Sequence, residues 1–276
     1  MTKSGPQKYP GASTVYWHQG RYGGTPMEVN VGCLHTTEGT TVPTYAGGAS
    51  APNFTALPDF RAKKLKWYQH FDFDMSSRAL RNLSGGVQTN TLNVVQIELV
   101  GTCDLAHRIG WNGAKAGVNY LYWPDAPDWA LKELAKFVRW AHDHHGVRME
   151  TSVHFKAYPS SYGNNGVRLS GSQWTRYLGW LGHQHVPEQD HGDPGDLEIA
   201  KVLAFAKGTA DSEELDMDKK QVFDAIWDQD KAPAPDKSPT KATNPTWTPL
   251  NMVREIYNRL IEIGERLDAI EKKVDQ

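Results

Sequence analysis

The chain has 276 residues, 39% of them hydrophobic, with ten tryptophans and a formal charge of −2. That length holds one good-sized domain plus a smaller appendage, and that composition excludes wholesale disorder. The near-zero charge gives no general drive toward nucleic acid or an anionic membrane, and no run is apolar enough to span a bilayer.

The opening MTKSGPQKYPGASTVYW has no apolar run of the signal-peptide type, so synthesis in the cytoplasm without a signal peptide is expected. Residues 1–27 show no period and are rich in Gly, Pro, Tyr and Trp, which predicts an arm packed over the domain surface. Val29–His35 alternates and predicts a strand ending at His35. Cys33 lies in it. With Cys103, the only other cysteine, it is expected to be a buried free thiol, since two cysteines make no disulfide scaffold. Short strands are expected near Asn53–Leu57 and Lys64–Phe71. Asn93–Val100 (NVVQIELV) is the strongest strand pattern, with Val95, Ile97 and Leu99 on one side and Val94, Gln96, Glu98 and Val100 on the other.

Trp129–His145 reads as an amphipathic helix with Leu131, Leu134, Phe137, Val138 and Ala141 on one stripe and Gly146 closing it. His142, His144 and His145 then sit at the negative end of the helix dipole and need no metal to explain them. Further helices are predicted over Ser172–Leu181 and Asp196–Lys207, the latter closed by Gly208. These elements predict an α/β fold, a mixed central β-sheet flanked by helices, over residues 1–210.

Beyond 210 the composition shifts. Residues 211–230 are expected to contain a short acidic helix (Leu215–Gln229, sticky face Val222, Phe223, Ile226 and Trp227), and 231–249 reads as a Pro/Thr/Lys/Ala-rich linker. In 250–276, Val253, Ile256, Leu260, Ile263, Leu267, Ile270 and Val274 recur at spacings of three and four. This heptad seam, Val/Leu at one core position and Ile at the other, fits a C-terminal helical tail that either docks on its own domain or self-associates. The regularity favours a homo-oligomer of more than two strands, tetramers in particular.

Two places carry unusual chemistry. Gly182–Gly195, GHQHVPEQDHGDPG, packs three histidines, two aspartates and a glutamate among two prolines and three glycines. Such a bent backbone with His and carboxylate side chains suits a small divalent metal, though a polar surface loop has much the same composition. Pro194-Gly195 fits the centre of a type II turn, which would fix the direction of Asp193. Glu98 interrupts the strongest strand. Either its face is partly wet or the carboxylate has a function, because an unpaired buried carboxylate is costly.

His35 at a strand end, Asn93–Gly101 as N-x-x-x-I-E-L-V-G and Gly182–Gly195 as G-H-x-x-V-P-x-x-x-H-x-D-P-G together resemble the zinc-dependent N-acetylmuramoyl-L-alanine amidases of type 2. That family includes the peptidoglycan recognition proteins. The SGSQW…GHQHVP run and the linker-plus-helix tail are most similar to endolysins of phages infecting actinobacteria. The resemblance covers residues 28–207. It implies a Zn²⁺ site of His35, His183 and Asp193, with His185 as a near neighbour, and the third ligand is a cysteine in some relatives. It implies Glu98 as the acid/base that deprotonates the attacking water and protonates the departing amine. His191 stands where many relatives have a lysine that stabilises the tetrahedral intermediate.

The implied reaction is hydrolysis of the amide between N-acetylmuramic acid and L-alanine. The implied partner is bacterial cell-wall peptidoglycan, with the enzyme in the host cytoplasm until lysis and at the wall afterwards. Tyr45, Trp67, Tyr68, Ser77 and Arg78 are groove candidates, as is His154, although aromatics at such spacing also suit a core and His154 also suits a plain surface. Two alternatives share these residues: a non-catalytic peptidoglycan-binding protein, and a zinc peptidase acting on the stem peptide, for which no HExxH pattern exists.

Overall fold

In the computed structural model, which describes residues 5–91, 93–209, 232–235, 237–238 and 241–274, the alternating run after Val29 becomes strand β1, Val31–Thr36. Four strands join it: β2 (Phe54–Asp59), β3 (Lys64–Gln69), β4 (Val94–Leu99) and β5 (Gly179–Gly182). Their order is β3-β2-β4-β1-β5, with β2 and β3 antiparallel and the remaining neighbours parallel. The fold is therefore α/β with a mixed central sheet.

Alternation along β4 sorts its side chains onto two cores. Val95, Ile97 and Leu99 meet Leu131, Leu134, Phe137 and Val138 of helix α1 (Asp128–His145) and Val202 and Leu203 of α2 (Ile199–Lys207). Each such side chain, fully buried, contributes about 1.5–3 kcal/mol. Gly146 and Gly208 close the two helices in the left-handed conformation that glycine adopts without a Cβ penalty. Trp67, a groove candidate by sequence, belongs to this core instead, its ring stacked 4.6 Å from Phe137. The N-terminal arm packs here too, with Tyr9 edge-on to Trp67, Phe137 and Trp140. On the opposite face Val31, Cys33, Val94 and Leu181 pack with Trp174 and Tyr177. Both cysteines are buried and free.

The helix expected over Ser172–Leu181 is a correction. Only one turn forms, Gly171–Trp174, capped reciprocally by Ser170 and Gln173, and the chain then becomes β5. The reason is tertiary. Gly179–Gly182 pairs with Val31–Leu34, which lets Trp180 enter one core and Leu181 the other. Sheet pairing and two-sided burial outweigh local helix propensity.

Residues up to Ala210 form one compact unit and those from Asp211 another. The predicted helix Leu215–Gln229 lies outside the described residues. Within the expected linker, Ala232–Pro233 pairs antiparallel with Thr246–Trp247, so part of it is ordered into a two-residue ladder. Pro249–Val274 is one continuous helix, α3. No helix among the described residues is long and apolar enough to cross a membrane.

Candidate metal centre

Parallel pairing of β1 with β4 sets His35 directly opposite Glu98, near the carboxyl ends of both strands. In open α/β sheets that edge is where ligands are held. Strand β5 runs beside β1 as far as Leu34↔Gly182, so the chain leaving it delivers the turn His183–His185 next to His35. Gly182 is required there, since a Cβ would lie 2.5 Å from Pro194. The loop then folds back, and the Gln184 N–H donates to the Asp193 carbonyl at 3.0 Å.

The turn at the loop's end differs from expectation. The Gly195 N–H donates to Gly192 O at 3.1 Å, which puts Asp193 and Pro194, joined by a cis peptide, at the centre. This is a type VI turn rather than a type II turn about Pro194-Gly195. The expected outcome survives: Asp193 is held in one direction, and its Oδ2 accepts the Thr36 N–H at 3.1 Å.

Three buried side chains converge. His35 Nδ1 lies 3.0 Å from His183 Nδ1 and 3.7 Å from Asp193 Oδ2, and His183 Nδ1 lies 3.3 Å from Asp193 Oδ1. These donors come from positions 35, 183 and 193, and among the described residues they are the group able to hold a metal ion. The donor chemistry fits. Ligands about 2.0–2.1 Å from a tetrahedral ion stand about 3.3–3.4 Å apart, which the three separations straddle. His183 Nε2 has Gln189 Oε1 at 3.4 Å, which places the proton on Nε2 and leaves the Nδ1 lone pair aimed into the cluster. Gln189 is fixed in turn by donating to Arg81 O at 2.7 Å.

Compared with known families and curated proteins, the chain matches no family model and no curated sequence.

The charges are arranged unequally. Burial, helped by His183, pushes His35 well below the ordinary imidazole range, so it is a neutral donor. Burial would raise Asp193, but the neighbouring His183 imidazole and the hydrogen bond from His191 outweigh it and hold the carboxyl well below its usual value. Glu98 goes the other way. Burial first, then Asp193 and Glu38, push its carboxyl well above the usual range. The residue as a whole is half-buried, yet its Oε2 is enclosed and has no hydrogen-bond partner among the described residues. Val94 and Gln96 beside it are fully buried, so the face is dry except at Glu98 itself.

His191 is two-thirds exposed, stacks on His183 with ring centres 4.3 Å apart and brings Nδ1 to 3.6 Å from Asp193 Oδ1. The hydrogen bond to Asp193 raises its pKa against the effect of burial. Replacing His191 with Ala is expected to lower kcat about 10²-fold while changing metal affinity far less. Equal losses in kinetics and metal titration would reassign it as a metal-positioning residue.

His185, equally prominent in the motif, is not part of the cluster. Its Nδ1 accepts the Gly182 N–H at 3.0 Å and its Nε2–H donates to His154 O at 2.9 Å. Both nitrogens are used, and burial holds its pKa down to about 4. His154 has an exposed side chain outside the metal group.

A cavity of about 310 Å³ opens on Asp193 and His191, walled by Trp111, Tyr158, Tyr162 and Glu38. The groove candidates from sequence are elsewhere. Tyr45 is buried and bonds Thr55 Oγ1 at 2.7 Å, Tyr68 packs against Tyr16, and Ser77 and Arg78 border a separate cavity. Two aromatics set among turn residues, Tyr158-Pro159 and Tyr162-Gly163, were the legible signal for the wall of this cavity.

Arg168 left no such signal. Its guanidinium donates to the carbonyls of Gly163 (3.0 Å), Val186 (2.9 Å) and His191 (3.1 Å), tying residues 163–168 to the loop between His183 and Asp193. Arg168→Met should weaken metal affinity about 10–100-fold by loosening that loop. Unchanged affinity in a chelator competition would limit Arg168 to a stabilising role.

Proposed function

We propose that the chain is a zinc-dependent peptidoglycan hydrolase, an N-acetylmuramoyl-L-alanine amidase acting as a phage endolysin. The observation that carries this reading is the convergence of His35, His183 and Asp193 beside Glu98, whose enclosed Oε2 has no partner among the described residues. Two imidazoles and one carboxylate are the donor set of a catalytic zinc that keeps a fourth position open. Zinc held there would supply a Lewis acid for the amide carbonyl and make hydroxide accessible at neutral pH.

The chain's own residues do the rest. Glu98 takes a proton from the attacking water and delivers it to the departing L-alanine amine. His191, with an N–H at the cavity mouth, donates to the developing negative oxygen. Trp111, Tyr158 and Tyr162 offer flat surfaces to the sugar and peptide on either side of the scissile bond. The partner is cell-wall peptidoglycan, reached from the host cytoplasm at lysis. A homo-oligomer joined through residues 250–276 would hold several such sites on one insoluble polymer.

Mass analysis of digested wall tests the reading. Free N-terminal L-alanine, lost on chelation and restored by zinc, is the expected product. Internal peptide ends would make the protein a peptidase, and wall binding without release would make it a recognition protein; either sinks the amidase assignment.

A further inference from the structure

Glu38 follows His35 in the chain leaving β1, with its backbone at φ 44°, a left-handed conformation that costs any residue with a Cβ. Such strain persists where surrounding contacts over-determine it. Here they do. Although Glu38 is exposed, its carboxylate is tied at both oxygens. Oε1 accepts the Thr36 hydroxyl at 2.6 Å and the Cys103 N–H at 2.9 Å, and Oε2 accepts the Thr102 hydroxyl at 2.6 Å. We propose that Glu38 is a positioning residue of the metal centre, tying the chain that leaves β1 to the chain that leaves β4 and so fixing the direction of Asp193. This role rests on the metal-centre reading above and holds whichever bond the centre hydrolyses.

Two paths run from Glu38 to Asp193. One passes through Thr36, whose hydroxyl Glu38 holds and whose own N–H donates to Asp193 Oδ2 at 3.1 Å. The other passes through Cys103. Glu38 holds its N–H, and Cys103 backs the turn that presents Asp193, since a Cβ on Gly195 would lie 2.9 Å from Cys103 Cβ. The same contacts join the two halves of the site. Thr36 adjoins His35, and Thr102 lies just beyond Glu98. Past the sheet the two segments stay side by side, with the Thr37 N–H donating to Leu99 O and the Gly39 N–H to Gly101 O, both at 3.1 Å. Glu38 adds the cross-link that fixes where they end.

Two other roles are less well supported. A carboxylate offers about four acceptor positions, and the three hydrogen bonds within the protein leave little for a substrate. Glu38 also contributes, after burial and Asp193, to pushing the Glu98 carboxyl up. That effect follows charge, whereas the tether follows reach, so conservative variants separate them. Glutamine has the same reach. Its carbonyl accepts from Thr36 and Cys103, and its amide donates to a Thr102 hydroxyl that accepts as readily as it donates. Aspartate keeps the charge but is one methylene too short to hold all three donors.

Zinc affinity of the full chain, measured by chelator competition, is the test. Glu38→Ala and Glu38→Asp should each bind zinc about 10–100-fold more weakly, the effect expected when the support of a metal ligand is removed, while Glu38→Gln matches wild type. Urea unfolding of the same proteins reports whether each is folded, and should Glu38→Ala fail to fold, the Asp and Gln variants decide alone. Wild-type affinity in the Ala or Asp variant would limit Glu38 to stabilising the fold and overturn the proposal. A weakened Gln variant would assign the effect to charge and overturn it equally. A wild-type chain that takes up no zinc would remove the metal centre itself, an outcome distinct from a zinc-binding chain indifferent to Glu38.

Discussion

His183→Ala and Asp193→Ala should each bring bound metal from about one equivalent per chain to background, and wall hydrolysis with it. The two ligands fail for different reasons. His183 supplies a nitrogen whose lone pair is aimed by Gln189, so its removal deletes a donor from a set that has three. Asp193 supplies the only negative charge among the three ligands, and without it two imidazoles 3.0 Å apart face each other. Its loss also strips the Thr36 N–H of its acceptor, at a cost of about 1–3 kcal/mol. His185→Ala is the control. It should destabilise the fold by a similar amount, because Gly182 N–H and His154 O lose their partner, yet retain one equivalent of metal. Elemental analysis of the three purified variants decides the matter. Full metal content in either ligand variant, or its loss in His185→Ala alone, would mean that the ligands are assigned wrongly.

That contrast also marks how far the sequence could be read. His183 and His185 have the same side chain two residues apart, and no pattern separates them. The family register favoured His183, and the structure places His183 in the cluster because β5 ends at Gly182 and the following turn swings His185 back onto Gly182 itself. Strands β1 to β4 and helices α1 and α2 were legible because each has a periodic apolar face set by its own local sequence. Strand β5 was not. Its Trp180 and Leu181 are buried on opposite faces, so the segment has no alternation to see, and its identity comes from pairing with β1. The cavity beside the cluster was not legible for a related reason. Trp67 serves equally well as core or ledge, and only the packing of α1 over β3 decides it. Arg168 and Gln189 act through backbone carbonyls contributed by distant loops, a relation that composition cannot encode.

Glu98→Gln should yield a protein that folds, loads metal and is about 10²–10⁴-fold slower, because a carboxamide cannot relay a proton. It should also be the more stable protein once metal is removed. Enclosing a carboxylate without a partner is unfavourable, and Glu98 meets that cost by holding its proton to a higher pH than it would in the unfolded chain. The sign follows from linkage. Above the ordinary carboxylate pKa the unfolded state has released the proton and the native state has not, so wild-type stability falls as pH rises through that window, and the fall ends where native Glu98 deprotonates. Glutamine carries no such proton, so the variant lacks this component. The two metal-free proteins should match near pH 4 and diverge toward pH 7, where the variant leads by about 1–3 kcal/mol in urea unfolding. Parallel stability curves for the two proteins would show Glu98 to be solvated and ionised in the native state. Bound metal should narrow the gap, since a nearby cation favours the charged carboxylate. A slower enzyme that is also a more stable apoprotein is what a group retained for chemistry rather than for folding produces.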